Sequence, residues 1–137
     1  MIRNMFRSVR QGGTVMAVEP DFSFQACHPS SWAYERLPAL LAALLPDPFI
    51  GRKLVHLFRE AGATDIKCEV HSEIETESAL IRRTWRMTIE AMGSAMVARK
   101  ILSHTDLDDL LAELRRVESD DTTVFLGNPN VFVWATA

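Results

Sequence analysis

The segment that most restricts the fold is a helix followed by a glycine and then a strand. Residues Phe49 to Ala61 carry apolar side chains at helical spacing, and Gly62 stands where the residue after a helix often has a positive φ. Ile66, Cys68 and Val70 then alternate with polar residues, which predicts a strand with one wetter face. A helix, a glycine and a strand in this order are typical of an α/β sheet.

The N-terminal region shows the same order. Residues Ile2 to Val9 predict a short amphipathic helix, which Gly12 and Gly13 end. The run from Thr14 to Val18 is almost entirely apolar, so it predicts a strand that is buried on both faces. Glu19-Pro20-Asp21 ends this strand with two charges and a proline.

The middle of the chain predicts a loop and two helices. The loop covers Phe22 to Ser31. A leucine-rich helix begins at Trp32 or at Pro38 and ends at Leu45, with Pro38 in a first turn, where its missing N–H costs little. A longer helical pattern runs from about Glu77 to Ile101, and Gly93-Ser94 marks a bend in it.

The C-terminal region predicts a helix and a final strand. Thr105 and Asp108 resemble a capping box at the start of the helix. Residues Val131 to Ala135 predict a strand. Residues Val124 to Leu126 either pair with that strand as a hairpin or only lead into it.

Composition limits the classes of partner and the location. The chain has 137 residues, 47% of them hydrophobic and 24% charged, with a net charge of -3. This length predicts one domain, and the weak negative charge favours neither nucleic acid nor an anionic membrane. No apolar run reaches the ~18 residues that cross a bilayer. Cys27 and Cys68 have no metal-ligand spacing, so we expect reduced, structural thiols in a cytoplasmic protein.

Two segments carry a resemblance to a known family. In the first, Gly12-Gly13 leads into a strand that ends at the acidic Glu19. In the second, Asp47-Pro48-Phe49-Ile50-Gly51-Arg52 leads into the stretch from Leu54 to Asp65. Their order and spacing resemble the second half of class I S-adenosylmethionine (SAM)-dependent methyltransferases of the type 11 or UbiE-like group. The resemblance covers nearly the whole chain.

This resemblance implies an α/β fold, the C-terminal half of a Rossmann-like methyltransferase domain. Residues 1–137 would be a single partial domain that lacks the N-terminal SAM-binding half. A short mixed sheet would hold three strands in the spatial order Thr14–Val18, Val131–Ala135, Ile66–Val70, with the middle strand antiparallel. A helical insertion would precede the last strand. The outer edge of Thr14–Val18 would be open, so we expect a homo-oligomer or a complementing chain there.

The cofactor implied by the resemblance is SAM, which the family holds with a glycine-rich loop. This sequence contains no Gly-x-Gly, so we expect no SAM binding by this chain alone. The implied function is methyl transfer to a small or lipid-like acceptor, with the chain inactive by itself. A non-catalytic binding or oligomerisation module and a decayed gene product without activity are the alternatives.

Four residues are candidates for a substrate site, and no catalytic residue is assigned. Glu19 and Asp21 follow the first strand, at the edge where α/β proteins bind ligands. Arg52 begins a helix and would suit an anionic substrate, and Trp85 would line an apolar pocket with nearby methionines. The structural alternatives are a solvated strand end, a solvated helix start and an ordinary core. The four histidines share no metal-ligand spacing, so no metal site is expected.

Overall fold

A computed structural model describes the backbone of residues 1–75 and 79–137 and the side chains of residues 1–74 and 83–137. Over these residues the chain is mixed α/β. The helices are α1 (Ile2–Ser8), α2 (Trp32–Leu44), α3 (Ile50–Glu60), α4 (Ala79–Ala98) and α5 (His104–Glu118). The strands are β1 (Thr14–Pro20), β2 (Ala26–His28), β3 (Lys67–His71), β4 (Ile74–Glu75), β5 (Val124–Leu126) and β6 (Asn130–Thr136). The predicted helix start at Glu77 lies outside the described residues.

The first sheet has the strand order β1-β6-β3. The middle strand, β6, is antiparallel to both neighbours, with Val15 opposite Ala135 and Cys68 opposite Val133. The predicted spatial order and the antiparallel middle strand are therefore confirmed. The prediction of a mixed sheet is wrong, because β6 separates the two strands that run in the same direction and leaves only antiparallel pairs.

One face of this sheet is covered by α1 and α3. Val15 on β1 and Val133 on β6 are buried there against Leu54 and Phe58 of α3. The ring of Phe6 packs edge-on against Phe58, with 5.5 Å between the ring centroids. Burial of these apolar side chains fixes the register, since a slip by one residue would turn them to the other face.

The other face of the first sheet is not covered by any described helix. It carries Met16 and Val18 of β1, which lie opposite Trp134 and Phe132 of β6. We call these four residues the open face. Met16 is 51% exposed and Val18 is 44% exposed, while Trp134 and Phe132 are half-buried. The prediction that Thr14–Val18 is buried on both faces is therefore wrong.

Both edges of the first sheet are open in the described part of the chain. β1 pairs only with β6 along one side, and β3 likewise pairs only with β6. All five residues of β3 are exposed, and Val70 is 60% exposed although α1 and α3 cover its side of the sheet elsewhere. The predicted contrast between a wet and a dry face of this strand is wrong, because α3 does not extend over it.

The second sheet continues the first beyond a break in all three strands. Its order is β2-β5-β4, and the chain runs directly from β1 to β2, from β3 to β4 and from β5 to β6. The order is thus the same on both sides of the break. We call the connecting residues the joint; they are 21–25, 72–73 and 127–129.

Backbone hydrogen bonds hold the joint together. The amide of Asp21 donates to the carbonyl of Pro129 at 2.8 Å, and the amide of Gly127 donates to the carbonyl of Glu73 at 2.9 Å. β5 passes through the joint into β6 without reversing, so of the two predicted alternatives the hairpin is wrong and the lead-in into the last strand is confirmed. The loop predicted for Phe22–Ser31 is also wrong in part, since Ala26–His28 pairs with β5.

Three helices, α2, α4 and α5, build a second core against the second sheet. Buried residues from all three meet Phe125 of β5 in one cluster. α4 passes uninterrupted through Gly93, whose Cβ position is occupied by the side chain of Leu107 on α5. Gly93 therefore lets α4 and α5 pack closely, and the helix continues through the position where a bend is predicted. Among the described residues, no helix has both the length and the apolar character to span a bilayer.

The N-terminal caps confirm the predicted helix start at Trp32 and move the predicted start of α5. The side chain of Ser31 accepts from the amide of Ala33, so α2 begins at Trp32 and Pro38 lies inside the helix rather than in its first turn. The capping box of α5 is formed by Ser103 and Asp106. The prediction that Thr105 and Asp108 form it is wrong by two residues.

Candidate functional site

The carboxyl end of β1 places Asp21 against the first turn of α3. The guanidinium of Arg52 donates to both carboxylate oxygens of Asp21, at 2.5 Å from Nε and 2.9 Å from Nη2. Nη2 also donates to the hydroxyl of Ser23 at 2.6 Å, and the guanidinium lies 5.0 Å from the ring centroid of Phe49. The Nε and Nη2 donors of Arg52 are therefore engaged within the chain, which favours a structural role over the binding of an anionic substrate.

Gly51 makes this pairing sterically possible. A Cβ at this position would stand 2.9 Å from the carbonyl oxygen of Glu19 and 3.0 Å from that of Pro20. The backbone of α3 thus approaches the end of β1 as closely as glycine permits. Arg52, the next residue, then lies beside Asp21.

The pairing stabilises the ionised form of Asp21. Hydrogen bonds from Arg52, assisted by those from Ser23, lower the pKa of Asp21 from 3.8 to about 2 in spite of its burial. Asp21 is only 5% exposed, whereas the side chain of Arg52 is 56% exposed. The carboxylate is therefore fixed as an anion at neutral pH and acts as a structural partner for Arg52 rather than as a general base.

Replacement of Asp21 by asparagine should lower the free energy of unfolding by at most about 2 kcal/mol near neutral pH. The depressed pKa means that the unfolded chain binds more protons than the folded chain between about pH 4 and pH 2. The contribution of Asp21 is thus complete above this range and is lost as the pH falls through it. Urea unfolding at neutral pH and near pH 2 measures both effects.

Asp47→Asn is the matched control, because Asp47 pairs with Lys53 at the surface. We expect a loss below about 0.5 kcal/mol for this variant. If the Asp21 variant loses as much free energy of unfolding near pH 2 as at neutral pH, the role of the Asp21 carboxylate as an ionised partner of Arg52 is contradicted.

A pocket of about 160 Å³ opens at the joint. Its lining comes from the joint, from the first residue of β6 and from α4: Glu73, Thr84, Trp85, Gly127, Asn128 and Asn130. Asn130 lies opposite both Pro20 of β1 and His71 of β3, so the pocket is at the carboxyl ends of these two strands. This is the edge at which α/β sheets bind their ligands.

A buried amide lies in the same joint. Gln25 is 6% exposed, and neither side-chain atom has a hydrogen-bond partner in the described part of the chain. Continuation of the β2–β5 register puts it opposite Gly127. An unsatisfied buried amide costs about 1–3 kcal/mol, so such groups usually mark a place where water or a ligand enters.

A larger cavity of about 460 Å³ lies between α1 and α3. Its walls include Ile2, Ile50 and Leu57, and Arg3 spans it to donate to the carbonyl of Glu60 at the end of α3. It is shaped by the packing of the short α1 helix and lies away from the joint. We therefore take the pocket at the joint as the candidate site.

Over the described residues, the surroundings of the joint offer a poor fit for SAM. Gly12 and Gly62, which have positive φ, precede β1 and β3. They therefore lie at the amino ends of these strands, whereas the joint lies at their carboxyl ends. Gly51 is packed against the backbone of β1, so it does not form an open glycine turn. The pocket at the joint is also smaller than the ~300 Å³ at which ligand sites usually begin.

The four predicted site residues lie in three separate places. Asp21 and Arg52 form one ion pair, while Trp85 lines the pocket and packs edge-on against Phe22, with 6.1 Å between the ring centroids. Glu19 is half-buried at the end of β1 and has no side-chain hydrogen bond or ion pair with the described residues. Sequence reasoning missed Glu73, Gly127 and the two asparagines, because the segment 127–130 looked like an ordinary turn.

Comparison of the sequence with models of protein families and with characterised proteins finds no significant match. No group of three or more histidine, cysteine, aspartate or glutamate side chains suited to a metal ion occurs over residues 1–74 and 83–137. What the chain does must therefore be inferred from its sheet and its joint.

Proposed function

We propose that this chain forms the substrate-side half of a class I SAM-dependent methyltransferase domain. The observation that carries the proposal is the sheet order β1-β6-β3, with β6 antiparallel and, in the described part of the chain, helices on one face only. In a doubly wound α/β domain, helices cover both faces of the sheet. The open face and the outer edge of β1 therefore suit the docking of a SAM-binding half, which supplies further strands and the second helical layer.

The nature of the exposed surface supports docking. Met16 and Val18 project from a strand whose outer edge has no neighbour in the described residues, and the half-buried Phe132 and Trp134 lie beside them. Burial of such side chains is worth about 25 cal/mol for each Å² of apolar surface removed from water. An open strand edge next to them supplies main-chain hydrogen bonds for a partner strand.

Within such an assembly, this chain would bind and orient the methyl acceptor. The pocket at the joint lies at the carboxyl ends of β1 and β3, on the edge to which a docked half would bring its cofactor. α4 closes the pocket from the side through Thr84 and Trp85. Holding an acceptor in place is a large part of what a two-substrate enzyme does.

The test compares the isolated chain with the assembly isolated from its native cells. Titration calorimetry with S-adenosylhomocysteine should give a dissociation constant in the ~µM range for the assembly, and no binding up to ~1 mM for the chain alone. A native assembly that does not bind S-adenosylhomocysteine would sink the proposal. Micromolar binding by the chain alone would contradict the division of labour between two halves.

A second candidate function is a non-catalytic oligomerisation module, which the free edge of β1 favours. Antiparallel pairing of β1 with β1 of a second copy would place Met16 opposite Val18 about a centre at Ala17, so that apolar side chains meet across the axis. Sedimentation velocity separates the two functions. A homodimer without affinity for S-adenosylhomocysteine supports the module, and a heteromeric assembly with such affinity supports the methyltransferase.

A further inference from the structure

We propose that the pocket at the joint binds a small organic cation, an amine or a quaternary ammonium group. The inference rests on the proposed function only in identifying this cation as the methyl acceptor or its methylated product. The binding itself follows from the charge, the ring and the polar oxygens that converge on the pocket.

The charge of the pocket is negative. Glu73 is the charged residue among the described lining residues, and its carboxylate makes no ion pair with any side chain in residues 1–74 or 83–137. The described arginines on the adjoining turn of α4 form ion pairs with glutamates outside the pocket. Arg86 is bound by Glu118 at 2.6 Å and Glu90 at 2.8 Å, and Arg83 lies 3.4 Å from Glu118. An anionic ligand would therefore meet repulsion from Glu73 without a compensating cation among these residues.

Trp85 supplies the second feature. Its side chain borders the pocket, is 7% exposed, and packs edge-on against Phe22 within the second core. A cation near the face of a tryptophan ring gains about 0.5–2 kcal/mol, and tryptophan is the best of the aromatic residues for this contact. A neutral ligand of the same shape gains only the free energy of burying apolar surface against the ring.

The remaining groups complete a cation site. Asn128 and Asn130 line the pocket with side-chain amides, whose oxygens can accept from an ammonium group, and Ser72 donates to the carbonyl of Gly127 at 2.7 Å. The volume of about 160 Å³ restricts the ligand to a few heavy atoms beyond the ammonium group. A carboxylate, a tryptophan ring and polar oxygens together select a small cation over an anion or a long lipid chain.

The test uses choline and its neutral isostere 3,3-dimethylbutan-1-ol, which differ in charge but hardly in shape. The chain has three tryptophans, so the indole N–H resonance of Trp85 is assigned with Trp32→Phe and Trp134→Phe variants. We expect choline to shift the Trp85 resonance with a dissociation constant of ~1 mM, and the isostere to bind at least ~10-fold more weakly.

Glu73→Gln should abolish this preference for the cation. Asp108→Asn, which removes one negative charge from an exposed position on α5, should retain it. Both positions are exposed, so the dispersion of the amide spectrum verifies that each variant is folded. Equal binding of the two probes, a preference that survives Glu73→Gln, or no shift at ~50 mM choline would each overturn the inference.

This result is independent of the test of the proposed function. Cation binding by the chain, together with a native assembly that does not bind S-adenosylhomocysteine, would keep this site and remove the methyltransferase. An assembly that binds S-adenosylhomocysteine but shows no preference for choline would keep the methyltransferase and require a neutral acceptor.

Discussion

Gly51→Ala should lower the free energy of unfolding by about 2–3 kcal/mol, which is at the upper end for the addition of one methyl group to a packed contact. The new Cβ would meet two backbone carbonyl oxygens, those of Glu19 and Pro20, at 2.9 and 3.0 Å, and Val131 at 3.0 Å. Backbone atoms of a paired strand cannot rotate away. α3 must therefore move off the end of β1, which also loosens the bonds between Arg52 and Asp21. Chemical denaturation with urea measures the loss.

Gly93→Ala is the matched control, since it adds the same methyl group to another helix. Its Cβ would meet only the side chain of Leu107, at 2.7 Å from the nearest methyl carbon. A leucine side chain has other rotamers, and alanine gains about 1 kcal/mol of helix propensity over glycine in a helix interior. We therefore expect a net change within about 1 kcal/mol. Equal losses in the two variants would show that Gly51 is not a special point of contact between α3 and β1.

The double replacement of Met16 and Val18 by lysine should weaken the native assembly at least ~100-fold, equivalent to about 3 kcal/mol. Two ammonium groups would have to be buried without partners if the open face docks as proposed. Both side chains are about half exposed in the isolated chain, so its own stability should change little. Sedimentation velocity over a range of concentrations measures the dissociation constant of the assembly.

The control variant carries lysine at Val70 and Met87, which are 60% and 53% exposed but lie outside the open face. It adds the same charge and should leave the assembly intact. Dissociation of both double variants would indicate a non-specific effect of charge. An assembly unaffected by lysine at Met16 and Val18 would show that the partner binds elsewhere.

The three strands of the first sheet could be predicted from features that are local in sequence, whereas their spatial order was implied only by the resemblance. β3 follows a helix that ends just before Gly62, and α1 ends at Ser8, four residues before Gly12. The prediction that the run from Thr14 to Val18 is buried on both faces is wrong. An apolar sequence indicates that a strand face is to be covered, but it does not say whether this chain or a partner covers it. The apolar character of this run on the uncovered side is what a strand that docks a partner requires.

The joint could not be predicted from the sequence. Strands β2 and β5 have three residues each and β4 has two, too few for an alternating pattern to be recognised. Their pairing depends on three distant segments that continue the first sheet in the same order. The pocket was missed for the same reason, because Glu73 and Asn128 meet only through that register.

The sequence identifies the candidate residues but not the contacts between them. Asp21 and Arg52 were both recognised as charges near a strand end and a helix start, 31 positions apart. Their pairing depends on the absence of a side chain at Gly51, which a charge pattern does not reveal. Trp85 was recognised from its apolar spacing, but its place at the rim of a polar pocket follows only from the position of α4 beside the joint.

The most direct test of the account is amide hydrogen exchange of this chain alone and in its native assembly. We predict that assembly increases protection from exchange along β1 and at Phe132 and Trp134 of β6. The exposed surface of α5 should exchange equally in both states. Protection gained on α5 or along β3, with β1 unchanged, would contradict the claim that the open face and the β1 edge are where the second half of the domain docks.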